Sequence, residues 1–278
     1  MKVMFTIGLM LLAMSFAVAQ DWAKKRLETS PRHQEWVDIK NGSRTVKAFV
    51  MYPERKDKAP VVILIHEIFG LSDWAMSMAD QLAEKGYIAI APDLLSGMAP
   101  NGGRTTDFTD ATKITETVSG LPQDQVTGDL NAVADYAKTI PSASGKLYVA
   151  GFCWGGKQAF TFATNRHDLS GAFVFYGFGP TDPADVARIT APVYGFYGGN
   201  DNRINATLED QKKAMAAASK PYEVVIYEGA GHGFMRAGEV PDATPENAKA
   251  REAAWKKWLE VMGRVPTIEA CCETSYSF

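Results

Sequence analysis

Lys146-Leu147-Tyr148-Val149-Ala150-Gly151-Phe152-Cys153-Trp154-Gly155-Gly156 is the stretch on which the fold turns. Its first five residues are a short, largely apolar run that reads as a buried strand. Lys157-Gln158-Ala159-Phe160-Thr161-Phe162-Ala163 reads as the helix that follows. Between them Gly151-Phe152-Cys153-Trp154-Gly155 has the Gly-x-nucleophile-x-Gly form of a nucleophile elbow, with cysteine at the apex. A strand that turns this sharply into a helix strains its apex residue, and flanking glycines let neighbouring backbone pass without Cβ clashes. The apex side chain then stands beside the positive end of the helix dipole, which favours thiolate over thiol. A buried cysteine in an ordinary glycine-rich βα turn is the competing reading.

Further along, two more strand ends carry candidates. Pro192-Val193-Tyr194-Gly195-Phe196-Tyr197-Gly198-Gly199-Asn200-Asp201 is an apolar strand ending in a glycine-rich turn that carries Asp201. Glu223-Val224-Val225-Ile226-Tyr227 leads into Gly229-Ala230-Gly231-His232-Gly233-Phe234. Of the 4 histidines (His33, His66, His167 and His232), only His232 lies on a glycine-flanked loop after a strand and after an acidic candidate. Taken singly, Asp201 is a turn former and His232 a loop histidine. Nucleophile, acid and histidine in that order, each past the carboxyl end of a strand, match the α/β-hydrolase arrangement of a triad.

The rest of the chain alternates as that fold requires. Glu35 to Lys40 and Thr45 to Tyr52 read as an antiparallel hairpin with Asn41-Gly42 in its turn. Val61 to Ile65 is a buried strand, Asp73 to Lys85 a helix stopped by Gly86, and Tyr87 to Ala91 a strand closed by Pro92-Asp93. Gln123 to Thr139 is an amphipathic helix and Gly171 to Tyr176 a strand. Glu246 to Met262 closes the domain as a helix, with Trp255 and Trp258 read as core. Residues 94–121 are weakly patterned, either a cap-like excursion or a long surface loop. The predicted fold is α/β, a mostly parallel central sheet with helices on both faces.

These residues resemble the dienelactone hydrolase family of α/β-hydrolases, from about Val61 to Trp258. The likeness rests on Ile65-His66-Glu67-Ile68-Phe69-Gly70, on Gly-Phe-Cys-Trp-Gly-Gly at 151–156, on the Asp201 turn, and on Gly231-His232-Gly233-Phe234-Met235-Arg236. The resemblance implies cleavage of a small-molecule ester or lactone through Cys153, His232 and Asp201. The backbone N–H groups of Trp154 and Ile68 are the expected oxyanion donors. It also implies that Glu67 contacts the resting cysteine and takes its proton when substrate arrives; the alternative is a loop carboxylate paired with an arginine. Arg236 sits where similar enzymes bind a substrate carboxylate, with a surface ion pair as its alternative. Arg104 is the candidate for a second such arginine. The chain departs from the family's habits at His66, which is left outside the catalytic set, and at Gly233, where serine is usual.

Composition bounds the rest. The 278 residues are 46% hydrophobic, enough for a full core, and a formal net charge of −3 leaves no basic footprint for nucleic acid. The charge cluster Pro53-Glu54-Arg55-Lys56-Asp57-Lys58 is mixed in sign and reads as a solvated loop. Met1-Lys2, an apolar run through about Val18 and the small-x-small site Ala17-Val18-Ala19 predict a signal peptide over 1–19, with Gln20 as the first mature residue. Export to the periplasm or beyond follows, without stable membrane association after cleavage. The hydrolase domain is expected over 20–263 and a polar tail over 264–278. In that tail Cys271-Cys272 could form a vicinal disulfide, cross-link two chains or do nothing. No cofactor and no metal site are expected, since no histidine or further cysteine lies near that pair at ligand spacing. A general carboxylesterase or thioesterase is the nearest alternative function. A thiol-redox protein would leave Asp201 and His232 idle, and a non-catalytic binding domain would be expected to lose triad members.

Overall fold

Alternation decides the layers. In Ala59–Ile65 (β3), Val62 and Leu64 face one core while Val61, Ile63 and Ile65 face another. Successive strand side chains point to opposite faces, so a strand apolar at every position must be covered on both sides. The computed structural model describes residues 21–264. The expected signal peptide and the Cys271-Cys272 pair lie outside them.

A helix over residues 21–29 (α1) precedes the hairpin of Gln34–Asn41 (β1) and Arg44–Met51 (β2), in which Asn41 pairs with Arg44 and Gly42 supplies φ 57° to the turn. After β3 come Asp73–Glu84 (α2) and Ile88–Asp93 (β4). Ser72 caps α2, its side chain accepting from the Ala75 N–H, and Gly86 at φ 91° follows its end as expected. Ala111–Ser119 (α3) and Gln123–Thr139 (α4) lead to Ala143–Phe152 (β5), and Trp154–Ala163 (α5) to Gly171–Phe175 (β6). The chain continues through Pro183–Ala187 (α6), Val193–Gly198 (β7), Asn202–Asn205 (α7), Leu208–Ala217 (α8) and Tyr222–Tyr227 (β8). Phe234–Ala237 (α9) and Pro245–Arg264 (α10) complete it.

The eight strands form one sheet in the order β1-β2-β4-β3-β5-β6-β7-β8. Only the β1–β2 and β2–β4 pairs are antiparallel. One face packs against Trp74, Met78 and Leu82 of α2 and Ala254, Trp258 and Val261 of α10, with Ala23 and Leu27 of α1. The other packs against Val126, Leu130 and Val133 of α4, Phe160 of α5 and Met215 of α8. Trp258 meets Phe152 and Phe175 edge-on at 6.1 and 5.0 Å between ring centroids, so it is core, as read from the sequence.

Three departures from expectation have physical causes. β4 runs on through Pro92 to Asp93 because β2 pairs with it there, whereas β3 pairs only as far as Ile90. The weakly patterned segment holds α3 and is tied to the sheet: the N–H and Oγ1 of Thr105 donate to the buried Asp93 carboxylate at 2.8 and 2.7 Å. α8 lacks a strong sequence signal because it buries only Leu208, Gln211 and Met215. No helix of the described residues is long and apolar enough to cross a membrane.

Candidate active site

Glu67, Cys153, Asp201 and His232 each follow the carboxyl end of a parallel strand. Cys153 follows β5 at φ 56° and ψ −116°, a conformation that costs a non-glycine residue roughly 1–3 kcal/mol. Surrounding contacts hold it there. Its N–H donates to the Phe175 carbonyl at 3.0 Å, and its own carbonyl accepts from Gly156 N–H at 3.0 Å. The motif glycines are required by close approach. A Cβ on Gly151 would lie 1.9 Å from the Gly155 carbonyl oxygen, and one on Gly155 would lie 2.4 Å from the carbonyl oxygens of both Ile65 and His66. The elbow is thereby pressed against the loop that leaves β3.

The β7 and β8 loops are stitched together in the same way. Gly198 passes within 2.6 Å (as a Cβ would measure it) of the carbonyls of Ala230 and Gly231. Asn200 N–H donates to the Ala230 carbonyl at 2.9 Å, and Gly231 N–H donates to Asn247 Oδ1 of α10 at 2.9 Å. Asp201 and His232 are thus delivered to one place. His232 Nδ1 lies 2.5 Å from Asp201 Oδ2, and its Nε2 lies 3.1 Å from the Cys153 sulfur. The Asp201 side chain is 5% exposed and that of His232 is 32% exposed, so the imidazole is partly open to solvent while its carboxylate is not.

The sulfur has further neighbours. Backbone N–H groups of Trp154 and Ile68, the two donors expected from sequence, both reach it and draw its pKa down. They are outweighed. Burial first and the nearby Glu67 charge second hold the Cys153 thiol above the ordinary cysteine range. The pull of the helix terminus toward the thiolate is thus outweighed, and the balance favours the thiol.

Glu67, 3% exposed, accepts from Arg236 Nε at 2.7 Å, and Tyr176 Oη approaches its other oxygen at 3.4 Å. Two residues assigned separate jobs in the sequence are therefore each other's partner. The arginine reaches across from α9, and its guanidinium carbon stands 5.1 Å over the Phe69 ring. Burial opposes the Arg236 charge, but the Glu67 carboxylate more than offsets it and raises the guanidinium pKa. Gly233 has φ 75°, a left-handed turn that glycine adopts without strain.

Arg104 is not brought to this cluster. Its guanidinium lies 3.7 Å from the centre of the Trp36 ring on β1, held there by cation–π stacking. Tyr176 is the residue that sequence reading missed. It follows β6 at φ 42°, is buried, and packs edge-on against the His232 ring at 5.1 Å. Its position at a strand end was the available signal. Burial first and Glu67 second push its hydroxyl far above the tyrosine range, so it serves Glu67 as a donor.

Beside the β3 loop opens a cavity of about 230 Å³ lined by Phe69, Leu71, Phe108, Ala111 and Ile114 together with Ser72, Asp73, Thr105 and Thr106. Neither this cavity nor the larger grooves elsewhere are lined by Cys153, Asp201, His232, Glu67 or Arg236, so volume does not locate the chemistry. No group of three or more His, Cys, Asp or Glu side chains able to hold a metal ion occurs among the described residues.

Comparison with known proteins finds relatives over most of the chain. The model of the Dienelactone hydrolase family matches residues 46–265. A protein of Escherichia coli K12 named "Putative carboxymethylenebutenolidase" is 32% identical over 238 residues, covering 81% of this chain and 84% of that relative. A Yersinia pestis protein with the same name is 33% identical over 250 residues, covering 84% and 89%. Among solved structures, "Putative Dienelactone Hydrolase" from Klebsiella pneumoniae superposes with TM-score 0.73 at 27% identity, over 84% of this chain and 99% of that one.

Proposed function

The chain belongs to the dienelactone hydrolase family, and from that premise we propose that it is an exported hydrolase that opens ester or lactone bonds through Cys153, His232 and Asp201. It is a carboxymethylenebutenolidase-like enzyme, with a small-molecule ester or lactone as substrate. The observation that carries the triad is the imidazole of His232, spanning from Asp201 at 2.5 Å to the Cys153 sulfur at 3.1 Å. That is the spacing a nucleophile, a general base and its orienting carboxylate need.

The steps follow from the groups in reach. The resting thiol gives up its proton, directly or by way of Glu67, to Nε2 of His232, and the sulfur attacks the carbonyl carbon. The oxyanion then draws on the N–H groups of Trp154 and Ile68, each of which would slow turnover about 10²- to 10³-fold if lost. The C–O bond breaks as His232 delivers a proton to the departing oxygen, leaving a thioester; in a lactone that oxygen stays within the same molecule. Water, deprotonated by His232, attacks the thioester and returns Cys153 as a thiol. Asp201 keeps the hydrogen on Nδ1 so that Nε2 faces the sulfur throughout.

Glu67 and Arg236 supply a reason for the protonated resting state. A substrate carboxylate arriving at Arg236 competes for the guanidinium fork, and a released Glu67 is then free to accept the thiol proton. A thiol kept protonated until substrate binds also suits an exported protein, where exposed thiolates are oxidised. The signal-like segment at 1–19 supports that location.

The deciding experiment is turnover of small aryl esters and unsaturated lactones by the mature protein. Cys153→Ala is expected to lower kcat by at least about 10⁴-fold, and retained turnover would end the nucleophile assignment. Arg236→Ala is expected to cost carboxylated substrates at least about tenfold more than neutral esters. Equal losses on both would confine Arg236 to holding Glu67.

A further inference from the structure

One buried titratable side chain in the site has no part in the scheme above. His66 is 1% exposed, directly after β3, and its Nδ1 lies 2.8 Å from the carbonyl oxygen of Glu67. A carbonyl can only accept, so Nδ1 carries the hydrogen. Nε2 is buried without a hydrogen-bond partner among the described residues, and burial pushes the imidazole pKa down, which keeps the ring neutral. The ring lies nearly parallel to that of Trp154, 12° between planes and 5.5 Å between centroids.

The bonded carbonyl is the other half of a functional group. Glu67 C=O and Ile68 N–H belong to one planar trans peptide, whose oxygen and hydrogen point in opposite directions. Holding the oxygen on the far side therefore aims the N–H. Gly70 N–H also donates to this oxygen at 3.2 Å, so the carbonyl has two donors, one from a side chain and one from the turn. Donation into the carbonyl also polarises the peptide and strengthens its N–H as a donor.

We propose that His66 is a positioning residue for the oxyanion site: its Nδ1–H locks the Glu67–Ile68 peptide so that Ile68 N–H faces the Cys153 sulfur, and its ring braces Trp154, the source of the second N–H. The inference rests on the reading of Cys153 as nucleophile. His66 touches no reacting atom and acts only through the two amides. The specific requirement is for a donor at the Nδ1 position; the contact of the ring with Trp154 is secondary to it.

Two substitutions separate these features. His66→Phe keeps a ring and removes the donor; His66→Asn keeps an N–H at the Nδ1 position and removes the ring. Each is assayed for kcat and KM on an aryl ester, and for the rate at which iodoacetamide alkylates Cys153. That alkylation is a displacement of iodide by sulfur in which no oxyanion develops. We expect H66F to lose about 10- to 100-fold in kcat with KM and alkylation each within about threefold of the parent. H66N is expected to stay within about fivefold in kcat.

Wild-type turnover by H66F overturns the proposal. So does alkylation that falls in parallel with turnover, because general damage to the site would then explain both. Should H66F not be recovered folded, H66N decides, since a kcat loss beyond about fivefold with the donor retained contradicts the donor's role. Cys153→Ala in the same assay keeps the two readings apart. If it turns over normally the nucleophile reading has failed; if it is inactive while H66F is normal, only the role of His66 has.

Discussion

Two loops each bring one backbone N–H to the sulfur, and they are held in different ways. The elbow after β5 is held by backbone against backbone: a positive φ at Cys153, and glycines at 151 and 155 where a Cβ would meet main-chain atoms at 1.9 and 2.4 Å. The loop after β3 is held by side chains from far along the chain. Arg236 reaches Glu67 across 169 residues, and Thr105 Oγ1 accepts from Leu71 N–H across 34. Close backbone approach demands glycine at fixed offsets and so leaves a local pattern in the sequence. Side-chain scaffolding uses residue types that occur everywhere, and leaves none.

The largest effect is expected where the two loops touch. Gly155→Ala puts a methyl against the Ile65 and His66 carbonyls, and neither strand end can move without tearing the sheet register. We expect about 3 kcal/mol lost from stability, with an unchanged denaturant slope, and activity lost as both amides shift. A variant as stable as the parent would mean that the loops are not wedged together as described.

Glu67→Gln comes next and tests the side-chain-held loop. Glu67 is the second cause, after burial, of the raised Cys153 pKa. Removing its charge takes away a like-charge repulsion against the thiolate, so the midpoint of alkylation rate against pH should move to lower pH. Hydrolysis of carboxylated substrates should fall at the same time, since the proton acceptor is gone. A midpoint that stays in place or rises would show that the sulfur does not feel this carboxylate.

Thr105→Val is expected to do least. It leaves the buried Asp93 carboxylate and Leu71 N–H each short of a partner, a loss of about 1–3 kcal/mol in unfolding free energy. Because the oxyanion peptide at 67–68 has its own anchors, kcat should fall only a few-fold. A loss as large as that of Gly155→Ala would mean that the excursion, through Thr105, positions the site.

The sheet and its helices were legible because both faces of β3, β6 and the Leu147–Phe152 part of β5 are apolar, and because Gln123–Thr139 carries an amphipathic period. Cys153, Asp201 and His232 were legible for a related reason: each sits on a glycine-rich turn at a strand end, and a parallel sheet gathers all such ends along one edge. The residues that tune them were not. That Glu67 pairs with Arg236, that Tyr176 serves Glu67, that Arg104 stacks on Trp36 and that His66 grips a peptide were settled only by the folded chain. A sequence dictates where backbone must bend, since sterics act between near neighbours. Which charge meets which depends on distances between segments that the chain acquires only when it packs.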